Sequence, residues 1–209
     1  MTTFHEKKRL MTDIKLIFPP SLKDLRLIKK IQRQNLRTGN LKIDKKTGRF
    51  LSTETPLSIL QQINQEKGII LYKNKKNEEF IAYSLVSSFK TAQQIETQKR
   101  FLEVAQQKGL DLNQCLILHQ IYVNSKYRGL NMSKLIMQEI KNRFSQRFNY
   151  GIGKIGTDNK ISKEIFVRRL EGKIVSKYYD PNEKRYLIIF SYPLKKSRSS
   201  TVKKHKVSK

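Results

Sequence analysis

CLILHQIYVNSKYRGLNMSKLIMQEI, residues 115–140, changes its hydrophobic period part-way along. Cys115 to Val123 is an almost continuous apolar run, the pattern of a strand buried on both faces. Asn124 to Arg128 is a polar, basic turn. Leu135, Ile136, Ile140 and Phe144 then recur at helical spacing. The first N–H groups of a helix lack internal partners and sit at the positive end of its dipole, so a strand-turn-helix of this kind offers an anion site, and a pyrophosphate fits it. Arg128 adds a fixed positive charge. Gly129 lets the main chain come close to a ligand, and Asn131 is the residue that most readily replaces glycine where φ is positive. Ser133 brings a small hydroxyl to the first turn.

Working outward, Ile14 to Phe18 is a short strand halted by Pro19 and Pro20, and Ser21 with Asp24 makes a capping-box start for a helix. Leu22, Leu25, Ile28 and Ile31 give that helix one buried face to about Asn35. Residues 36–54 read as an ordered loop. Thr55-Pro56 predicts an N-cap and first helical position for a short helix ending near Glu66. Ile69–Tyr72 and Phe80–Val86 form a hairpin across KNKKNEE. A helix is predicted from Thr91 to about Gln107, with Ile95, Leu102 and Ala105 on one side and Gly109 closing it. Downstream come a strand at Gly151–Gly156, a helix at Lys160–Leu170, and a closing hairpin of Lys173–Tyr179 with Arg185–Tyr192. This order predicts an α+β mixed sheet flanked by helices.

The stretch from Arg128 to Ser133 resembles the coenzyme A signature of the GNAT acetyltransferase superfamily: Gln or Arg, two residues, Gly, one residue, Gly or Ala. Arg128 matches, whereas Asn131 stands at the usual Gly and Ser133 at the usual Gly or Ala. The preceding strand and following helix are similar to the family's, and the likeness runs over about residues 13–192. It implies a GNAT-like mixed sheet with helices on both faces, and transfer of an acetyl group from acetyl-CoA to an amine. It also implies that main-chain amides of Leu130, Asn131, Met132, Ser133 and Lys134 cradle the pyrophosphate. Ile121, Tyr122 and Val123 would line the pantetheine arm, with an N–H near Ile121 as oxyanion donor. Asn159 would hydrogen-bond the pantetheine; a helix N-cap explains it equally. Family members often carry a carboxylate on the strand that here reads Leu116–Val123. His119 and Gln120 occupy it, and His119 is the first candidate base, against the alternative of a hydrogen-bonded histidine without a catalytic role. The family's proton-donating tyrosine falls on Phe166, seven residues after Asn159, so Tyr178 or Tyr179 is the substitute acid unless both are cross-strand packing.

The remaining signals bound the setting. The length of 209 residues suits one domain, read as an N-terminal extension at 1–12, the acetyltransferase-like domain at 13–194 and a disordered basic tail at 195–209. The lack of a long apolar run or an apolar leader predicts a cytoplasmic protein with no membrane contact. One cysteine, Cys115, and three scattered histidines predict no disulfide and no metal site; Cys115 reads as a small buried hydrophobe. Lys and Arg number 44 against 17 Asp and Glu, a net charge of +27. Seven of those cations lie in the tail, so the body stays strongly basic. Such a surplus attracts polyanions, RNA or DNA among them; an AT-rich genome inflating lysine is the compositional alternative. The charge disfavours cationic acceptors and favours an amine on an acidic or nucleic-acid-associated partner. The competing function is a basic nucleic-acid-binding module that keeps the fold without turnover.

Overall fold

The computed structural model describes residues 12–36, 53–169 and 172–195. The expected N-terminal extension, all but the edges of the 36–54 loop, and the tail beyond Lys195 lie outside the described residues. Seven strands form one sheet: β1 (Ile14–Ile17), β2 (Ile69–Asn74), β3 (Phe80–Ser87), β4 (Cys115–Val123), β5 (Tyr150–Gly156), β6 (Lys173–Asp180) and β7 (Arg185–Pro193). Their spatial order is β1-β2-β3-β4-β5-β7-β6. β4 and β5 run parallel, and every other neighbouring pair is antiparallel. A hairpin signal accounts for β2–β3 and for β6–β7. The parallel pair needs a crossover, which α5 (Met132–Phe144) supplies.

The helices split between the two faces because alternate strand residues point oppositely. Ile70 and Tyr72 of β2 pack with Met132, Ile136, Met137 and Ile140 of α5. Ile69 and Leu71 pack on the other face with α1 (Leu22–Gln34) and α2 (Leu57–Gln65). Farther along that second face, Cys115, Ile117, Leu187 and Ile189 meet Phe101, Leu102 and Ala105 of α4 (Glu96–Gln107). Cys115 is the buried small residue expected, its Sγ 3.0 Å from the carbonyl oxygen of Asp111, and burial pushes its thiol up to about 11. No helix among the described residues is long and apolar enough to cross a membrane.

The capping box forms as read: Ser21 Oγ accepts from the Asp24 N–H, and the Asp24 carboxylate accepts from the Ser21 N–H. Four expectations need correction. Leu22 is not on the buried face; it is 45% exposed, at the solvent edge of the first turn. α2 begins at Leu57 with Pro56 as N-cap, since Thr55 is buried and bonded to Gln32 of α1. The helix expected from Thr91 is two pieces, α3 (Phe89–Ala92) and α4. Glu66 accepts hydrogen bonds from the Ser88 N–H, Ser88 Oγ and Thr91 Oγ1, which holds α3 against the end of α2. The chain turns extended at Ile95, which packs with α1 and α2, so α4 can pack on the other end of the sheet. The helix expected at Lys160–Leu170 is one α turn, α6 (Lys160–Lys163), running into a π-helical turn at Glu164–Arg169.

β5 carries glycine where another side chain takes the space. A Cβ on Gly151 would lie 2.1 Å from Cζ of Tyr192, a ring 1% exposed and stacked on Phe190. Gly151→Ala is expected to cost about 1–3 kcal/mol, read as a lowered urea midpoint. An unchanged midpoint would mean that the Tyr192 ring has room to move.

Candidate active site

β4 and β5 share rungs only from Cys115–Tyr150 to Leu118–Gly153. Both strands continue, β4 to Val123 along β3 and β5 to Gly156 along β7. They are thus held at their outer edges and part from each other beyond Leu118. Main-chain groups that face such a gap need partners from elsewhere. The gap forms a cleft of about 110 Å³ lined by Leu118, Ile121, Ile155, Phe166 and Phe190, with His119, Gln120, Lys154, Asn159 and Arg185 as its polar lining. That is a slot suited to a thin, linear, amide-bearing chain.

The parting has a local cause. Register along β3 passes from Val86 opposite Leu118 to Leu85 opposite Gln120, so His119 is an extra residue, a β-bulge. Leu118 and Ile121 both pack toward α5, whereas His119 and Gln120 serve the opposite layer. Gln120 is buried; its Oε1 accepts from Gln32 Nε2 at 2.7 Å and from the Tyr83 hydroxyl at 2.8 Å, and its Nε2 donates to the Thr53 carbonyl at 2.7 Å. A neutral amide here ties α1 and the approach to α2 onto the bulge.

His119 Nε2 lies 2.7 Å from Ser87 Oγ, while its Nδ1 is buried without a partner. Burial first, and then the Lys154 charge, push its pKa down to about 3. His119 is neutral at physiological pH and a weak base. It is the sole histidine among the described residues. Between pH 6.5 and 3 the unfolded chain takes up a proton that folded His119 refuses, so stability is lost as pH falls through that window, by at most about 1.4 kcal/mol per unit. Denaturant titrations from pH 6.5 to 5 should show this slope, flattened in His119→Gln; equal slopes in the two proteins would contradict a buried neutral ring.

At the far end of β4 the chain makes the anticipated turn. Tyr127 is fully buried, with its hydroxyl 2.8 Å from Glu79, which also pairs with Lys126 Nζ at 2.8 Å. Asn124 bonds the Phe80 carbonyl and caps the turn. Gly129 and Asn131 take φ of +79° and +56°, the left-handed region that their residue types admit. Leu130 and Met132 bury their side chains, which turns the intervening main chain outward. Of the five expected cradle amides, those of Leu130 and Lys134 bond Tyr127 and Asn131 carbonyls. The N–H groups of Gly129, Asn131, Met132 and Ser133 have no partner among the described residues. Arg128 Nε donates to the Val123 carbonyl at 3.2 Å, holding the guanidinium between the end of β4 and the start of α5.

The other expected residues are placed as follows. Ile121 lines the cleft, whereas the Tyr122 ring stacks on Tyr83 on the α1 side; Val123 packs toward α5. Asn159 lines the cleft and is also the N-cap of α6, with its side chain accepting from the Ser162 N–H at 3.0 Å. Phe166 lines the cleft, stacked on Phe190 at 4.5 Å between ring centroids. Tyr178 is the correction: its side chain packs with α4, and alternation along β6 turns it away from the cleft. Tyr179 points to the opposite face from Tyr178 and stands against Tyr186. Lys154 and Arg185 went unnoticed in the sequence. Lys154 pairs with Glu183 at 2.9 Å and donates to the Thr97 carbonyl at 2.6 Å, and Arg185 bonds Glu183 and Asp158. Burial tends to raise the Glu183 pKa, but Lys154 and Arg185 outweigh it and hold the carboxylate ionised.

No family model and no curated protein matches the sequence. Solved structures do. Ard1 from Thermoplasma volcanium superposes with a TM-score of 0.59 at 9% identity, over 88% of this chain and 99% of that one. The ribosomal-protein-S18-alanine N-acetyltransferase from Escherichia coli gives 0.54 at 10%, over 90% and 97%. A GNAT superfamily phosphinothricin acetyltransferase from Sinorhizobium meliloti, in complex with acetyl-CoA, gives 0.57 at 16%, over 87% and 88%. The fold is that of the GNAT N-acetyltransferases. At such identities the GNAT likeness is one of chain path. The side chains at the cleft are this chain's own, and a lysine amid the glycines of GIGKIG, residues 151–156, is the local signal that could have drawn attention to Lys154.

Proposed function

We propose that the chain is an N-acetyltransferase that uses acetyl-CoA as co-substrate and an amine as acceptor. The observation that supports this most is the continuity of two donor sets: the gap between β4 and β5 leads to the unpartnered amides of Gly129, Asn131, Met132 and Ser133 beside Arg128. A pantetheine arm has amides to pair with the parted strands, and its pyrophosphate meets the helix mouth. Lys134 and Leu130 then shape the cradle through their carbonyl bonds and buried side chain, and Asn159 borders the arm.

In this reading the acceptor nitrogen attacks the thioester carbon, and a main-chain N–H of β4 near Ile121 stabilises the oxygen as it gains charge. The C–S bond breaks and the thiolate leaves. With a pKa near 3 and its Nδ1 closed off from solvent, His119 takes no proton from the amine, which gives it to solvent. Phe166 gives the thiolate no proton, which therefore comes from water. The basic surface favours an amine on an acidic or nucleic-acid-associated partner, and a ribosomal protein is the acceptor printed for one fold neighbour. A fold kept for nucleic-acid binding alone is the second reading, favoured by Phe166 and the low basicity of His119. Mass spectrometry of natively purified protein tests the first: bound coenzyme A or acetyl-CoA is expected. Its absence even after incubation with millimolar acetyl-CoA would favour the second.

A further inference from the structure

The β6–β7 hairpin leaves one of its faces bare. Cross-strand partners share a face, and Tyr179 opposite Tyr186, Lys177 opposite Ile188 and Ile174 opposite Phe190 all lie on the α5 side of the sheet. β6 is the edge strand, beyond the π-helical turn that covers Phe190. Tyr179 is 49% exposed, Tyr186 52% and Ile174 49%. The two rings meet edge to face at 5.4 Å, and Lys177 Nζ lies 4.7 Å from the centroid of Tyr186. Cross-strand packing accounts for the ring pair but not for leaving half of each ring in water.

Among the described residues, charge at this hairpin is one-sided. Lys173, Lys177 and Lys184 are exposed. The acids are engaged: Asp180 is buried and accepts from the Asn182 and Glu183 N–H groups, Glu183 is paired with Lys154 and Arg185, and Asp158 with Arg185. Aromatic faces flanked by unopposed lysines suit a ligand with flat rings on an anionic thread. A duplex keeps its bases stacked on one another, so exposed rings select single strands.

We propose that Tyr179, Tyr186 and Lys177 form a stacking platform for single-stranded nucleic acid, with Lys184 in the adjoining turn meeting its phosphates. The Tyr186 carbonyl accepts from the Thr157 N–H at 3.1 Å, in the turn just before Asn159. A bound strand therefore passes beside the mouth of the cleft. The platform does not depend on acetyl transfer, and either reading can fail without the other.

The chain has no tryptophan, so Tyr186→Trp gives the full-length protein a single reporter. Titration with an unstructured twelve-nucleotide RNA is expected to quench it, at concentrations where the matching duplex does not. Tyr179→Ala with Tyr186→Ala should weaken binding tenfold or more at fixed salt while the salt slope stays unchanged. Lys177 and Lys184 both changed to Gln should lower that slope by about 1.4. Circular dichroism melts of each variant exclude unfolding as the cause. Three results would overturn the platform: undiminished binding by the double tyrosine variant, quenching by coenzyme A but not by RNA, or an acidic peptide that displaces the RNA and quenches as strongly.

Discussion

Arg128→Glu is expected to weaken acetyl-CoA binding about a hundredfold or more, because in the proposed site it sets a carboxylate against a dianionic linker. The donors nearby cannot compensate. The four unpartnered amides carry partial charges that attract the anion, but a full negative charge on the neighbouring residue opposes them at the same range. The substitution also removes the half-buried Nε bond to the Val123 carbonyl, a single hydrogen bond whose loss should shift the melting temperature by only a few degrees. Affinity and fold are therefore separable. A variant that melts normally and binds acetyl-CoA as the parent does would show that the pyrophosphate lies elsewhere.

Phe166→Tyr is expected to raise the acetyl-transfer rate ten- to hundredfold. Its ring already lines the cleft, stacked on Phe190 and 8% exposed, so a para hydroxyl adds a proton donor without moving the backbone. A positioned acid is worth about 10²–10⁴ in rate where proton delivery limits the step. The gain should appear in kcat and leave the KM for acetyl-CoA nearly unchanged, since the hydroxyl acts on the departing sulfur rather than on the bound substrate. A rate equal to the parent's would mean that the thiolate leaves without help.

All seven strands were legible in the sequence because each carries an apolar run bounded by polar or proline-containing turns, and the capping box at Ser21 was legible because its chemistry is local. The break between α3 and α4 was not. Gln93, Gln94 and Ile95 contain no glycine or proline, and the chain turns there because Glu66, far away in sequence, holds Ser88 and Thr91. The β-bulge was half legible. Two adjacent polar residues, His119 and Gln120, interrupt an apolar strand, which is what a local reversal of facing leaves behind, but only the Gln32, Tyr83 and Thr53 partners fix which side they take. The turn into α5 was legible residue by residue, from Gly129 and Asn131, since left-handed main chain and a helix start are written in residue type. Tyr178 was misplaced because facing along β6 depends on the irregular register between Ile174 and Ser176. The ion pair of Lys154 with Glu183 joins β5 to the turn between β6 and β7, 29 positions on, and nothing in the sequence marks one as the other's partner.

A crystal structure of the chain with coenzyme A would show where the diphosphate and the pantetheine lie. The diphosphate is expected within hydrogen-bond reach of the Gly129, Asn131, Met132 and Ser133 amides, and the pantetheine between β4 and β5 beyond Leu118 and Gly153. Coenzyme A bound outside that gap, with β4 and β5 closed on each other or filled by side chains, would contradict the proposed site.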